Sequence, residues 1–205
     1  MSKHYLERLI PEAFYHIYNR GNNKIDLFYT SENYRYFITK FDEYLDGYVE
    51  IYAFCLMPNH FHFLIKIKSA KEIQEKFTAE NTETKLKDAG LMVSEQFKRF
   101  FMSYAKSINK QENRTGSLFE KHFKRKIVDK DEYLKELVVY IHRNPIHHNF
   151  VPNLYDYYWT SFRRVLSERN TKLKKKEVLS WFGCLDTYFE YHHKTPKDIE
   201  DYCME

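Results

Sequence analysis

Cysteine is scarce and badly placed for any structural task. Cys55, Cys184 and Cys203 are the only three in 205 residues, and no Cys-x-x-Cys pair occurs. An odd number at such wide spacing argues against a disulfide framework and against a cysteine-built zinc site, and it suits a reducing cytosol. Long apolar runs are missing as well. Nothing approaches the roughly 18 consecutive apolar residues of a membrane span. The segment Met1 to Arg20 has neither an apolar core nor a small-residue cleavage site, so no secretory leader is expected and the cytoplasm is the expected location. A strong net charge is absent too: at +4, composition alone does not announce nucleic acid.

Aromatic residues are plentiful. Eighteen Tyr and 17 Phe are enough for a packed interior despite 30% charged residues, which excludes disorder of the whole chain. The length allows one well-buried core with an accessory part. Charge is unevenly spread. Lys121-His122-Phe123-Lys124-Arg125-Lys126 reads as a basic strand carrying an aromatic, a surface suited to a phosphate backbone. Lys172, Lys174, Lys175 and Lys176 read as a solvated face, and the C-terminal end (Asp198, Glu200, Asp201, Glu205) is acidic.

Phe14 to Tyr18 is expected to be a first strand, closed by the turn signal Asn19-Arg20-Gly21-Asn22-Asn23. Ser31 opens a helical pattern through Tyr34, Phe37, Ile38, Phe41 and Leu45 that ends near Gly47. Val49 to Leu56 and His60 to Ile67 are expected strands, paired as a hairpin around Met57-Pro58-Asn59. The polar segment 69–90 shows only short helical stretches, and Val93 to Asn109 is helical again. His122 to Val128 is a fourth strand. Asp129 and Glu132 then read as a capping box for a helix bearing Leu134, Leu137, Val138 and Ile141, which Pro145 is expected to stop. Short helices follow around residues 159–162, 178–182 and 187–191. The order β-α-β-β-α-β-α predicts an α+β fold, a ferredoxin-like or RRM-like antiparallel sheet with helices on one face. Residues 1–165 are expected to form the main domain and 166–205 a C-terminal helical extension.

The sharpest local feature is Met57-Pro58-Asn59-His60-Phe61-His62-Phe63-Leu64. Alternation along a strand places His60 and His62 on one face and Phe61 and Phe63 on the other. Two adjacent imidazoles make half of a divalent-metal site. The helix before Pro145 offers Tyr140 and Asn144, four residues apart and therefore on one helical face. An amide oxygen beside imidazoles is a reasonable ligand for a hard divalent ion. Each element also has a plain reading: two histidines spaced by chance, a core tyrosine, and an amide that ends a helix.

Taken together, Pro58-Asn59-His60-Phe61-His62 on a strand and Tyr140-Ile141-His142-Arg143-Asn144-Pro145 closing a later helix resemble the single-tyrosine HUH transposases, where HUH denotes His, a hydrophobic residue and His. The match is closest to the REP-associated tyrosine transposases. Tyr15-His16 with Asn19-Arg20-Gly21, and Gly116-Ser117-Leu118-Phe119 ahead of Phe123-Lys124, support it. The resemblance covers residues 13 to 165. It implies that His60, His62 and Asn144 hold Mg²⁺ or Mn²⁺ and that Tyr140 is the nucleophile. It further implies a 5′-phosphotyrosine with a free 3′-hydroxyl, and a single-stranded DNA substrate, often beside a hairpin. Arg20, Lys121, Lys124, Arg125 and Arg143 are then candidates for the DNA backbone, with Asn22 and Asn23 as candidate base readers. The resemblance leaves open a monomer or a homodimer.

Three other readings compete. A relaxase or replication initiator shares the chemistry but commonly carries further modules that do not fit in 205 residues. A non-catalytic single-strand binding protein would keep the fold, yet here all four key residues are present. A structural zinc protein lacks cysteines at ligand spacing. Among the tyrosines, Tyr104 is the runner-up nucleophile, although Ile108 stands where a ligand would be needed.

Overall fold

Four segments rich in β-branched and aromatic residues pair into one antiparallel sheet: β1 (Phe14–Arg20), β2 (Val49–Met57), β3 (His60–Ile67) and β4 (Lys124–Val128), in the order β2-β3-β1-β4. The computed structural model describes residues 7–80 and 88–193. The acidic C-terminal end, Cys203 and part of the polar segment lie outside them. The hairpin forms as expected, with Met57 opposite His60 across Pro58-Asn59. β1 runs further than its hydrophobic pattern, because Asn19 and Arg20 still pair with Phe61 and His60. β4 starts late: His122 has φ 61°, a left-handed conformation that a strand cannot continue through.

Helix α1 (Ser31–Leu45) is opened by Asn33, whose Oδ1 accepts the backbone N–H groups of Tyr29 and Thr30. Helix α3 (Ala89–Gln111) starts four residues before its apolar pattern, because Asp88 caps it by accepting the Leu91 N–H. Between β3 and α3, α2 (Ala70–Glu80) occupies the first part of the polar segment. α1 and α3 bury Phe37, Phe41, Phe97, Phe100 and Tyr104 against Tyr15, Ile17, Phe61, Phe63 and Ile65. Each such side chain contributes about 1.5–3 kcal/mol by leaving water, which makes this face the main source of stability.

Helix α4 (Asp131–His147) lies on the opposite face, where Leu137, Val138 and Ile141 join Cys55, Met57 and Leu64. The one-sided arrangement expected from the sequence holds for α1 and α3, and α4 departs from it. Two local expectations for α4 are corrected. The Asp129–Glu132 capping box does not form: the N-cap is Lys130, with no side-chain bond, and Asp131 and Glu132 stand in the first turn, where carboxylates favour the helix dipole. Pro145 does not stop the helix either. It lacks only its own N–H, and near the C-terminus this costs one bond, while His148 N–H still reaches the Asn144 carbonyl.

Helices α5 (Phe162–Leu166), α6 (Lys175–Phe182) and α7 (Leu185–His193) share a core with α4 and β2 through Tyr52, Phe162, Val178, Phe182 and Tyr188. His142 links them: one ring nitrogen lies 2.8 Å from His192 Nε2 and the other 2.7 Å from Ser161 Oγ. No helix among the described residues is long and apolar enough to cross a membrane.

Candidate active site

The sheet face beneath α4 carries a row of rings set by strand alternation. On β3 these are His60 and His62, and on β1 they are His16 and Tyr18, with Tyr18 directly opposite His62 and Arg20 opposite His60. His16 Nε2 lies 2.9 Å from His62 Nδ1, and the two rings stack with centroids 5.1 Å apart. Tyr18 stacks on both, at 4.6 Å from His16 and 5.7 Å from His62. His60 Nδ1 lies 2.7 Å from Asn59 Oδ1, which can only accept, so Nδ1 carries a proton, and in the neutral ring the lone pair is then on Nε2.

α4 lies along this row. The Tyr140 ring stands edge-on to His62 at 5.6 Å and to His16 at 6.1 Å, and two turns later His148 stands 4.8 Å from His60. Asn144 sits on the same helical face between those two contacts. Its Nδ2 donates to the Tyr140 carbonyl at 2.9 Å, while its Oδ1 is buried and accepts no hydrogen bond. His62 Nε2 is likewise buried without a hydrogen bond. Leaving such a group unsatisfied costs about 1–3 kcal/mol, which a bound ligand would relieve.

Burial, and then the neighbouring His16, His60, His148 and Arg20, hold the pKa of His62 well below the usual imidazole value. Burial, with Lys126, lowers that of His16 to about 3. Both rings are therefore neutral near pH 7, the form in which an imidazole ligates a metal. Among the described residues no three His, Cys, Asp or Glu side chains form a metal cluster. The side chains that could hold a divalent ion are the His60 and His62 imidazoles with the amide oxygen of Asn144, a mixed nitrogen and oxygen set of the kind Mn²⁺ or Mg²⁺ accepts.

Tyr140 thus touches His62, the neighbour of His60, and Asn144 stands one turn along the same helix, but the DNA candidates scatter. Arg20 and Lys124 line a small cavity of about 70 Å³ together with Tyr18, His60, His62 and Glu120. Lys124 Nζ lies 5.5 Å from the Tyr18 ring. Arg125 faces the other way. It pairs with Ile17, donates to Ser94 Oγ at 3.1 Å and lies over the Phe123 ring, and burial lowers its pKa. Lys126, opposite His16, takes its place on the site's face. Lys121 is exposed ahead of β4, and Asn22 and Asn23 are exposed in the turn after β1. Arg143 donates to the His192 carbonyl and so ties α4 to α7. Tyr104 is buried on the far face, its hydroxyl donating to the Leu27 carbonyl at 2.8 Å, with burial raising its pKa.

His16 and His148 are site residues that sequence reasoning misses. His16 needs the β1–β3 register, and His148 stands beyond the proline expected to end the helix.

No family model and no curated protein matches the chain. Among solved structures it is similar to a REP-associated tyrosine transposase bound to a REP hairpin, with a TM-score of 0.60 and 18% identity over 82% of this chain and 87% of that one. At that identity the likeness speaks to architecture alone: the chain is folded like a REP-associated tyrosine transposase.

Proposed function

We propose that the chain is a metal-dependent single-tyrosine DNA strand transferase acting on single-stranded DNA beside a hairpin. The observation that carries this reading is the alignment of α4 on β3, with Tyr140 against His62, His148 against His60, and Asn144 between them. The fold neighbour, itself bound to a hairpin, supports the choice of DNA as substrate.

Tyr140 supplies the attacking oxygen. Its Oη forms a bond to phosphorus, the bond from phosphorus to O3′ breaks, and the electron pair leaves with O3′. The phenolic proton ends on that oxygen, giving a 5′-phosphotyrosine and a free 3′-hydroxyl. Bond energy is retained, so the 3′-hydroxyl of a new strand can reverse the step and release Tyr140. His60, His62 and Asn144 would hold Mg²⁺ or Mn²⁺, which supplies Lewis-acid stabilisation of charge on the non-bridging oxygens. His16 fixes the orientation of His62, and its tautomer when His62 Nδ1–H donates to it. Glu120 and the cationic Arg20 and Lys124 border the approach.

The test is an end-labelled hairpin incubated with the protein and Mn²⁺. A denaturation-resistant adduct is expected on the 3′ side of the nick, and Tyr140→Phe is expected to lower its yield by more than about 10³-fold with hairpin binding retained. An adduct that persists in this variant, or that maps to Tyr104, overturns the assignment. Tight binding without any adduct in the wild type points to a binding protein instead.

A further inference from the structure

Away from the histidines, the chain between α4 and α6 builds a second concave surface. Residues 157–161 run along the outer edge of β2. Thr160 bridges to Cys55, the Leu56 N–H donates to the Trp159 carbonyl, and the Phe54 N–H donates to Ser161 Oγ. Beyond them lies a cleft of about 420 Å³, lined by Tyr158, Thr160, Arg163, Arg164, Arg169 and Thr171 among others. None of its lining residues carries a carboxylate.

The cationic residues of this stretch divide into two sets. Lys172, Lys174 and Lys175 are committed to holding the segment down. Lys172 reaches Asp42 and Asp46, at 3.7 and 3.3 Å. Lys174 reaches Glu50 at 2.6 Å and Glu177 at 3.4 Å. Lys175 donates to the carbonyls of Ser167 and Arg169. The three arginines form no ion pair among the described residues. Arg163 has a long contact to the Tyr155 carbonyl at 3.5 Å, and Arg164 lies over the Phe54 ring at 5.7 Å. Three guanidinium groups around one concavity repel each other, and an oxyanion relieves that repulsion. Guanidinium is also the side chain best shaped to grip phosphate. Tyr158, 60% exposed at the rim, offers a flat face for an unpaired base.

Position supplies the second argument. Cys55 pairs with His62 on one side and with Thr160 on the other. Thr160 is therefore two strand spacings, about 10 Å, from His62. Arg164 lies over Phe54, on the sheet face opposite the histidines, so a DNA strand leaving the histidines meets the arginine cleft by rounding the β2 edge. We propose that this cleft is a second DNA site, gripping the sugar–phosphate backbone of the single strand that flanks the cleaved bond. The inference rests on the strand-transferase reading and assigns a task to a region that reading leaves unused.

The experiment is equilibrium binding of a fluorescent hairpin with a single-stranded flank, in EDTA so that no strand is cut, across a salt series. The combined exchange Arg163→Gln, Arg164→Gln, Arg169→Gln should make the negative slope of log K against log salt shallower by about 2, at roughly 0.7–0.9 for each phosphate no longer neutralised. A control of equal charge, Lys71→Gln, Lys106→Gln, Lys110→Gln, should leave it unchanged. Should the arginine combination fail to fold, Arg163→Glu and Arg169→Glu singly carry the same test. An unchanged slope, or an equal flattening in the control, overturns the proposal. So does binding of inorganic phosphate at the cleft with no effect of the exchanges on DNA. The strand-transferase reading fails separately, through a missing Tyr140 adduct, while this binding measurement still stands.

Discussion

The two faces of the sheet are built from the same strands and do opposite work. On one, Phe41 stacks on Phe63 at 4.6 Å, Phe37 meets Phe100 at 4.8 Å, and the buried Tyr104 hydroxyl is spent on a backbone carbonyl. On the other, imidazoles pack against imidazoles, and His62 Nε2 and Asn144 Oδ1 are buried with no hydrogen bond. Alternation makes this possible: Phe61 and Phe63 seal one side while His60 and His62, their neighbours in sequence, arm the other. The satisfied face holds the unsatisfied one in place.

The comparison is broken most directly by stability measurements of opposite sign. Phe63→Ala should cost about 3–5 kcal/mol in urea unfolding, the usual result of truncating a buried phenylalanine. Asn144→Leu should gain about 1 kcal/mol, because it removes an unsatisfied buried acceptor, and it should abolish Mn²⁺ binding measured by calorimetry. A loss of stability in Asn144→Leu would mean that the amide is structural.

Acid should act through the imidazole side. Burial holds His192 at a pKa of about 4 in the folded chain, whereas unfolded histidine titrates near 6.5. The folded pKa is the lower one, so the unfolded state takes up the proton first as pH falls. This contribution to stability is complete above about pH 6.5 and is lost progressively toward about pH 4, for a total of about 3 kcal/mol. Thermal melting followed between pH 7 and 4 should show the decline, and His192→Gln should reduce its slope. An identical slope in the variant would place the acid sensitivity elsewhere.

A smaller effect sharpens the role of His16. His16→Phe keeps an aromatic ring in the stack but removes the partner of His62 Nδ1, and Mn²⁺ affinity should fall about 10- to 100-fold. His16→Gln restores an acceptor and should keep the affinity within a few-fold of wild type. Equal affinity in all three proteins would reduce His16 to packing.

Much of this is legible in the sequence because it depends on local periodicity. Alternation puts His60 and His62 together, four-residue spacing puts Tyr140 and Asn144 on one helical face, and Pro58-Asn59 announces the hairpin. What escapes depends on distant partners. His16 joins the site only through the register of β1 with β3. The same register decides that Lys124 faces the histidines while Arg125 faces α3, a distinction lost when a basic run is read as one surface. His148 is hidden by a rule that holds for helix interiors and weakens in the last turn, where Pro145 sits. The arginine cleft is invisible in one dimension, since its walls form only when residues 157–161 dock on the edge of β2.

The turn before the histidines explains why a short word in a sequence behaves as a unit. Asn59 donates through Nδ2 to the Lys24 carbonyl, accepts through Oδ1 from His60, and offers its own carbonyl to the Gly21 N–H, while the Pro58 carbonyl receives Leu27 and Phe28. Aspartate lacks the donor, and alanine lacks both side-chain groups. At Gly21 a methyl would stand 2.0 Å from the Ile25 carbonyl oxygen. The spelling Asn-Arg-Gly in one part of the chain and Pro-Asn-His in another is therefore a single knot tied from two ends. A search for similar chains gains more from requiring both spellings together than from matching either one alone.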